Sequence, residues 1–140
     1  MSHKHAQYVV GVGNHAADNG GLIGIVIDKT IAIAGEHVGL ALKEARKPEI
    51  EALGFTWLDL GTNTDQSVDY PDYGDAVASA ILNGKAVLGI AICGSGIGIS
   101  IAANRHKGVR AALCSSGLAA SLSRQHNDAN VLALGARLIG

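Results

Sequence analysis

The chain has 140 residues, a formal net charge of −1 and 48% hydrophobic residues, the size and aliphatic content of one globular domain with one core. With 11 Lys+Arg against 12 Asp+Glu and no basic block, it lacks the electrostatic footprint that holds a nucleic-acid backbone or an anionic membrane. Its two cysteines, Cys93 and Cys114, are too few for a disulfide framework and do not sit at zinc-ligand spacing, which predicts a cytoplasmic chain with reduced thiols.

In chain order, residues 1–29 stand apart from the rest. Tyr8-Val9-Val10-Gly11-Val12 and Leu22-Ile23-Gly24-Ile25-Val26-Ile27 read as an added hairpin across the turn-rich residues 14–21, or as an arm. Neither they nor any later apolar run approaches the ~20 residues of a membrane span, and residues 7–13 are too short and glycine-broken for a secretory leader. His3, His5 and His15 lack a third ligand or a carboxylate at fixed spacing, so no metal is predicted.

From residue 30 to 140 short aliphatic runs alternate with amphipathic stretches, the pattern of βαβ units around a parallel sheet. Strands are expected at 31–34, 56–60, 86–92, 109–113 and 130–134. Helices are expected at 38–53, 73–82, 97–105 and 118–126. The run 86–92 is apolar throughout, as a central strand covered on both faces should be. Pro48 predicts a kink or a restart in the first helix, and Gly54, Gly84 and Gly108 follow helices as C-terminal stops. The expected fold is α/β: a three-layer α/β/α sandwich with a five-stranded parallel sheet, Rossmann-like, with right-handed crossovers. Ligands bind such sheets beyond the carboxyl ends of the strands, and most of the reactive side chains fall there.

The sharpest of these segments is Cys93-Gly94-Ser95-Gly96-Ile97-Gly98-Ile99-Ser100, a glycine-rich turn from the central strand into a helix. Its N–H groups can converge on an anion at the helix N-terminus, or its glycines can serve only close helix-on-sheet packing. It matches neither the nucleotide phosphate loop nor the dinucleotide pattern. Cys93 sits where a thiolate is favoured and could act as nucleophile or general base; Cys114, without a glycine nest, reads as packing. His126 and Asn127 close the last helix, where the imidazole can exchange a proton or merely complement the dipole. His37 follows Glu36 beyond the first strand, and Arg137, beyond the fifth, suits bidentate phosphate binding. His106 reads as a solvated helix end.

These residues resemble the ribose-5-phosphate isomerase B family and its relatives, the galactose-6-phosphate isomerase subunits. The resemblance covers residues 30–140 and rests on five ordered segments: Ala34-Gly35-Glu36-His37-Val38-Gly39, Asp69-Tyr70-Pro71, residues 92–104 around the Cys93 loop, Gly108-Val109-Arg110-Ala111, and residues 123–133 around Gln125-His126-Asn127-Asp128. It implies metal-independent aldose–ketose isomerisation of a sugar phosphate, with no cofactor. Ribose 5-phosphate is the leading substrate; allose 6-phosphate, galactose 6-phosphate, a tetrose 4-phosphate or a non-catalytic binding subunit are the alternatives.

By that resemblance Cys93 is the base that moves a proton between C2 and C1 through a cis-enediolate, with Ser95 in support. The N–H groups of Gly94, Ser95, Gly96, Ile97 and Gly98 form an anion hole, and His126 assists ring opening. Asn127 and Glu36 orient hydroxyls, while His37 and Arg137 bind phosphate. The resemblance also implies a homodimer or homotetramer with the site at the subunit interface, the His126 and Arg137 side coming from the partner. Two departures are expected to matter: Glu36 stands where the family usually has Asp, and the domain is expected to lack the family's C-terminal helix.

Overall fold

The computed structural model describes residues 29–35, 37–61 and 70–138, without the side chains of His37 and of residues 70–72. The reading of residues 1–28 as a hairpin or arm, with His3, His5 and His15, lies outside the described residues, as do Glu36 and Asp69. β1 (Thr30–Gly35) leads through a 3₁₀ turn (His37–Gly39) into α1 (Leu40–Ala52). Next come β2 (Thr56–Asp59), α2 (Tyr70–Leu82), β3 (Leu88–Cys93), α3 (Ile97–Asn104), β4 (Ala111–Leu113), α4 (Gly117–Asn127) and β5 (Val131–Gly135). The strands form one sheet, β2-β1-β3-β5-β4, parallel at every pair.

The expected α/β/α sandwich is therefore present, with β3 central and all six of its residues buried. Alternation along the strands makes the two faces unlike. Ile31, Ile33, Leu88, Ile90, Ile92, Leu132 and Leu134 pack with Ile50 of α1 and Ala120 of α4. Ala34, Ala91, Cys93 and Ala133 pack instead with Tyr73, Val77 and Ala78 of α2 and with Ile99 and Ala103 of α3. The small side chains let α2 and α3 come close to the sheet, and α2 also crosses α3 closely: a Cβ on Gly74 would lie 2.7 Å from the Ala102 Cβ. The thiol at the end of β3 consequently lies on the face covered by the two helices of the small-residue layer.

Several local details differ from expectation. α1 does not restart at Pro48; the proline is exposed, so the Glu44 carbonyl that it deprives of an intrahelical partner faces solvent. α2 starts three residues early, with Pro71 second in the helix, where a missing N–H costs nothing. β4 starts two residues late, because the Arg110 N–H donates to Asn130 Oδ1 at 2.7 Å and the ladder begins beyond it. Gly54 and Gly84 do stop helices, with φ of +86° and +75°, whereas α3 ends at Asn104 with Arg105 as its cap and Gly108, at φ +95°, lies in the turn beyond. His106 is no solvated end: its Nε2 lies 2.8 Å from Asp75 Oδ1, joining the turn after α3 to α2.

At the β2 margin, Lys43 of α1 is fully buried and donates to Asp59 Oδ1 at 2.9 Å. Lys47 donates to Asp59 Oδ2 at 2.6 Å, and the Gly61 N–H to Oδ1 at 2.8 Å. Burial pushes the Asp59 carboxyl up, but these three donors outweigh it and hold the group below its ordinary range. No described helix is long and apolar enough to cross a membrane.

Candidate active site

The carboxyl ends of β3 and β5 lie side by side, with Cys93 in register with Gly135. Beyond them the chain from β3 turns into α3, and the chain from β5 folds back over that turn. The Ala136 N–H donates to the Cys93 carbonyl at 2.8 Å and the Arg137 N–H to the Gly94 carbonyl at 3.0 Å. The result is an open cleft of about 560 Å³, within the range of small-molecule sites. It is lined by Cys93, Gly94 and Ser95 of the turn, by Ile97, Gly98 and Ile101 of α3, and by Arg137 and Leu138.

Inside the turn, backbone donors serve side chains of the turn itself. The Gly96 N–H points at Cys93 Sγ, 3.1 Å away, and gives the buried sulfur a backbone donor. Gly96 must be glycine for this, with φ at +80° and a Cβ that would lie 2.5 Å from Leu113 Cδ1 and 2.9 Å from the Leu134 carbonyl carbon. The Ile97 N–H donates to Ser95 Oγ at 3.1 Å. That bond occupies a lone pair of Ser95 and leaves its O–H as the group offered to a ligand. Among the described residues the N–H groups of Ser95 and Gly98 have no hydrogen-bond partner, so they are the turn's open donors at the N-terminus of α3.

Arg137 lies in the cleft of its own chain, where the resemblance implied that it would come from the partner. Its Nε, Cδ and Cζ would stand 3.6, 3.7 and 3.8 Å from a Cβ on Gly94, so the guanidinium stem crosses the turn one residue from the thiol. The reason is topological: β5 neighbours β3, and the peptides after Gly135 are bonded to those after Ile92. Among the described residues its side chain has no ion-pair partner.

His126 and Asn127 lie elsewhere. α4 runs back from the carboxyl edge to the start of β5, so both residues end at the opposite edge of the sheet. Five residues of β5 at about 3.3 Å each separate the edges by roughly 16 Å. Within one chain the imidazole does not reach the thiol. His126 is exposed and shares a helical stripe with Leu118 and Leu122, eight and four residues back, which are 69% and 40% exposed. Around the cleft Ile97, Ile101 and Leu138 are also 51–65% exposed, a concentration of uncovered aliphatic side chains that a lone monomer rarely carries.

The His37 backbone is in the turn beyond β1, at the same carboxyl edge as Cys93; its side chain and Glu36 lie outside the described residues. No group of three or more His, Cys, Asp or Glu that could hold a metal occurs among the described residues. Two residues packed beside Cys93 were not singled out in sequence. Tyr73 is buried in the same cluster as Cys93 and Ala34, signalled only by an aromatic residue one turn into α2. Gly135 was signalled only by a glycine at the end of a predicted strand.

Comparison with known proteins gives a consistent set of relatives. The family described as Ribose/Galactose Isomerase matches residues 31–140. The chain is 47% identical over 112 residues to ribose-5-phosphate isomerase B of Escherichia coli, covering 80% of this chain and 75% of the relative. It superposes on ribose-5-phosphate isomerase B of Clostridium thermocellum with a TM-score of 0.75 at 48% identity, covering 79% of this chain and 75% of the other. The enzyme of the same name from Mycoplasma genitalium, solved with bound ribulose-5-phosphate, gives 0.73 at 44% identity, with 79% and 74% covered.

Proposed function

Because the chain belongs to the Ribose/Galactose Isomerase family, we propose that it interconverts ribose 5-phosphate and ribulose 5-phosphate in the cytoplasm, with Cys93 as the base. The observation that carries this reading is the thiol held against the Gly96 N–H at 3.1 Å on the wall of the cleft that also holds Arg137. The thiolate takes the proton from C2 of the open-chain aldose, the C1 carbonyl oxygen takes up the charge, and a cis-enediolate forms. Return of the proton to C1, together with passage of the O2 proton to O1, gives the ketose with its C2 carbonyl and C1 hydroxyl, with no net oxidation. The Ser95 O–H and the N–H groups of Ser95 and Gly98 donate to the enediolate oxygens. The Gly96 N–H holds the thiolate, while the Gly94 and Ile97 peptides shape the turn. Arg137 and His37 bind the phosphate, and Glu36 and Asn127 orient hydroxyls.

Ring opening falls to His126 of the partner subunit. A second copy seated on the exposed aliphatic surface around the cleft and along α4 would cover Leu118 and Leu122 and bring His126 and Asn127 to the facing thiol. The assembly is a homodimer or a pair of them, and residues 30–140 form the isomerase domain behind an N-terminal extension, 1–29.

A panel of pentose, hexose and tetrose phosphates tests the substrate, with ketose formation as the readout; saturable binding without ketose would instead mark a binding subunit. Mixing Cys93→Ala with His126→Ala tests the shared site. In a two-site dimer half of the mixed dimers are heterodimers and each regains one of two sites, so inactive parents should recover about a quarter of wild-type activity by subunit exchange. No recovery, with exchange verified by mass spectrometry, would put both residues in one chain's site or leave His126 without a role.

A further inference from the structure

We infer that Gly135 is a positioning residue for the Cys93 thiol, a role that rests on the isomerase reading for its purpose but not for its geometry. Gly135 ends β5 directly beside Cys93. A Cβ there would lie 2.6 Å from the Ser95 carbonyl carbon and 3.0 Å from the Ser95 Cα, with the Ser95 carbonyl oxygen closer still. All three are backbone atoms, so no side-chain rotation relieves the overlap; the turn itself must move.

The chemistry of the site moves with it. Ser95 is followed by Gly96, whose N–H meets Cys93 Sγ, and Gly96 is itself pressed against this strand, since a Cβ on it would lie 3.0 Å from the Gly135 N. On the other side of Gly135, the next two peptides donate to the Cys93 and Gly94 carbonyls and carry Arg137 across Gly94. One residue without a side chain therefore lets two backbone segments touch, and that contact sets both the donor on the thiol and the cation beside it. An alanine at 135 would force the Ser95–Gly96 peptide outward, away from Sγ, while loosening the grip of residues 136 and 137.

The test compares Gly135→Ala with Gly89→Ala, whose Cβ would strike the Val77 side chain between α2 and the sheet and which touches no part of the turn. Each is made in a Cys114→Ala background, so that alkylation by iodoacetamide reports Cys93 alone. The midpoint of the alkylation rate against pH should move up by about half a unit or more in Gly135→Ala and stay in place in Gly89→Ala, although both lower the melting temperature. Because this readout uses no substrate, it stands even where the chain proves not to isomerise ribose 5-phosphate. In the isomerase assay Gly135→Ala should lose kcat, with inorganic phosphate also weaker as an inhibitor. Equal shifts in the two variants, or none in Gly135→Ala, would reduce Gly135 to packing.

Should Gly135→Ala fail to fold, amide exchange in the wild type decides. The Gly96, Ala136 and Arg137 amides should open with one common free energy; fast exchange at Gly96 with Ala136 and Arg137 still protected would overturn the coupling.

Discussion

The two cysteines stand at the carboxyl ends of β3 and β4, on either side of β5, and both are almost wholly buried, at 4% and 3% exposure, yet they have different chemistry available to them. Cys93 points to the small-residue face, receives a backbone N–H and borders the cleft. Cys114 points to the opposite face among Ile, Leu and Ala side chains. Burial pushes its thiol up, only partly offset by a hydrogen bond with the Ser123 hydroxyl. The difference lies in the turn that leaves each strand. After β4, Ser116 caps α4 by accepting from the Ala119 N–H. After β3, the cap is Gly96 in the left-handed region, which has no side chain, and a first-turn donor is left for the sulfur. Burial is common to both cysteines; what separates them is the backbone donor and the opening to the cleft that only Cys93 has.

Removing each thiol gives the most direct contrast. Cys93→Ala should cost about a thousandfold in isomerase turnover, the scale of a general base, with the circular dichroism spectrum and melting temperature close to wild type. Cys114→Ala should leave turnover within a factor of two and lower stability by about 1 kcal/mol, for the small cavity left beside Ala120 and Leu132. Comparable loss of turnover in both variants would break the distinction between them.

The same contrast between partnered and unpartnered burial holds at the β2 margin. Asp59 is held below the usual carboxylate range, so its contribution is present above an unfolded value of about 3.9 and is lost as pH falls through the lower folded value. Asp59→Asn removes the carboxylate facing the fully buried Lys43 and should destabilise by about 3 kcal/mol at neutral pH, measured by urea denaturation. The variant should also lose less stability than wild type on acidification below pH 4.

Much of this arrangement was legible in the amino-acid order. The alternation Ile31-Ala32-Ile33-Ala34 and Leu132-Ala133-Leu134-Gly135 already separates a large-residue face from a small one, and the continuous run ending at Cys93 places β3 in the centre. The glycine-rich turn after it marks the site because only one such turn leaves a central strand. Less legible were bonds that depend on what tertiary folding brings near. Asn104 accepts from the Ala111 N–H at 2.7 Å and donates to its carbonyl at 2.9 Å, and Arg110 donates to the Asp128 carbonyl at 2.7 Å. In sequence, those residues belonged to motifs of the resemblance with no visible purpose; in the fold they fasten the ends of β4 and α4. The place of Arg137 over the turn of its own chain was illegible for a related reason, since the position of a residue beyond a strand depends on which strand is its neighbour.

The smallest expected effect is on the alkaline side and belongs to Cys114 alone. A thiol whose folded value is raised stays protonated in the native state while the unfolded chain ionises above about pH 8.5, so the unfolded state binds fewer protons there and stability falls as pH rises. The loss approaches about 1.4 kcal/mol per pH unit for one group, and ends once pH passes the folded value. Wild type and Cys93→Ala should both show this decline between pH 8.5 and 10 in urea denaturation, and Cys114→Ala should lack its share of it. If instead Cys93→Ala abolished the alkaline decline and Cys114→Ala left it intact, the burial contrast between the two thiols would be reversed.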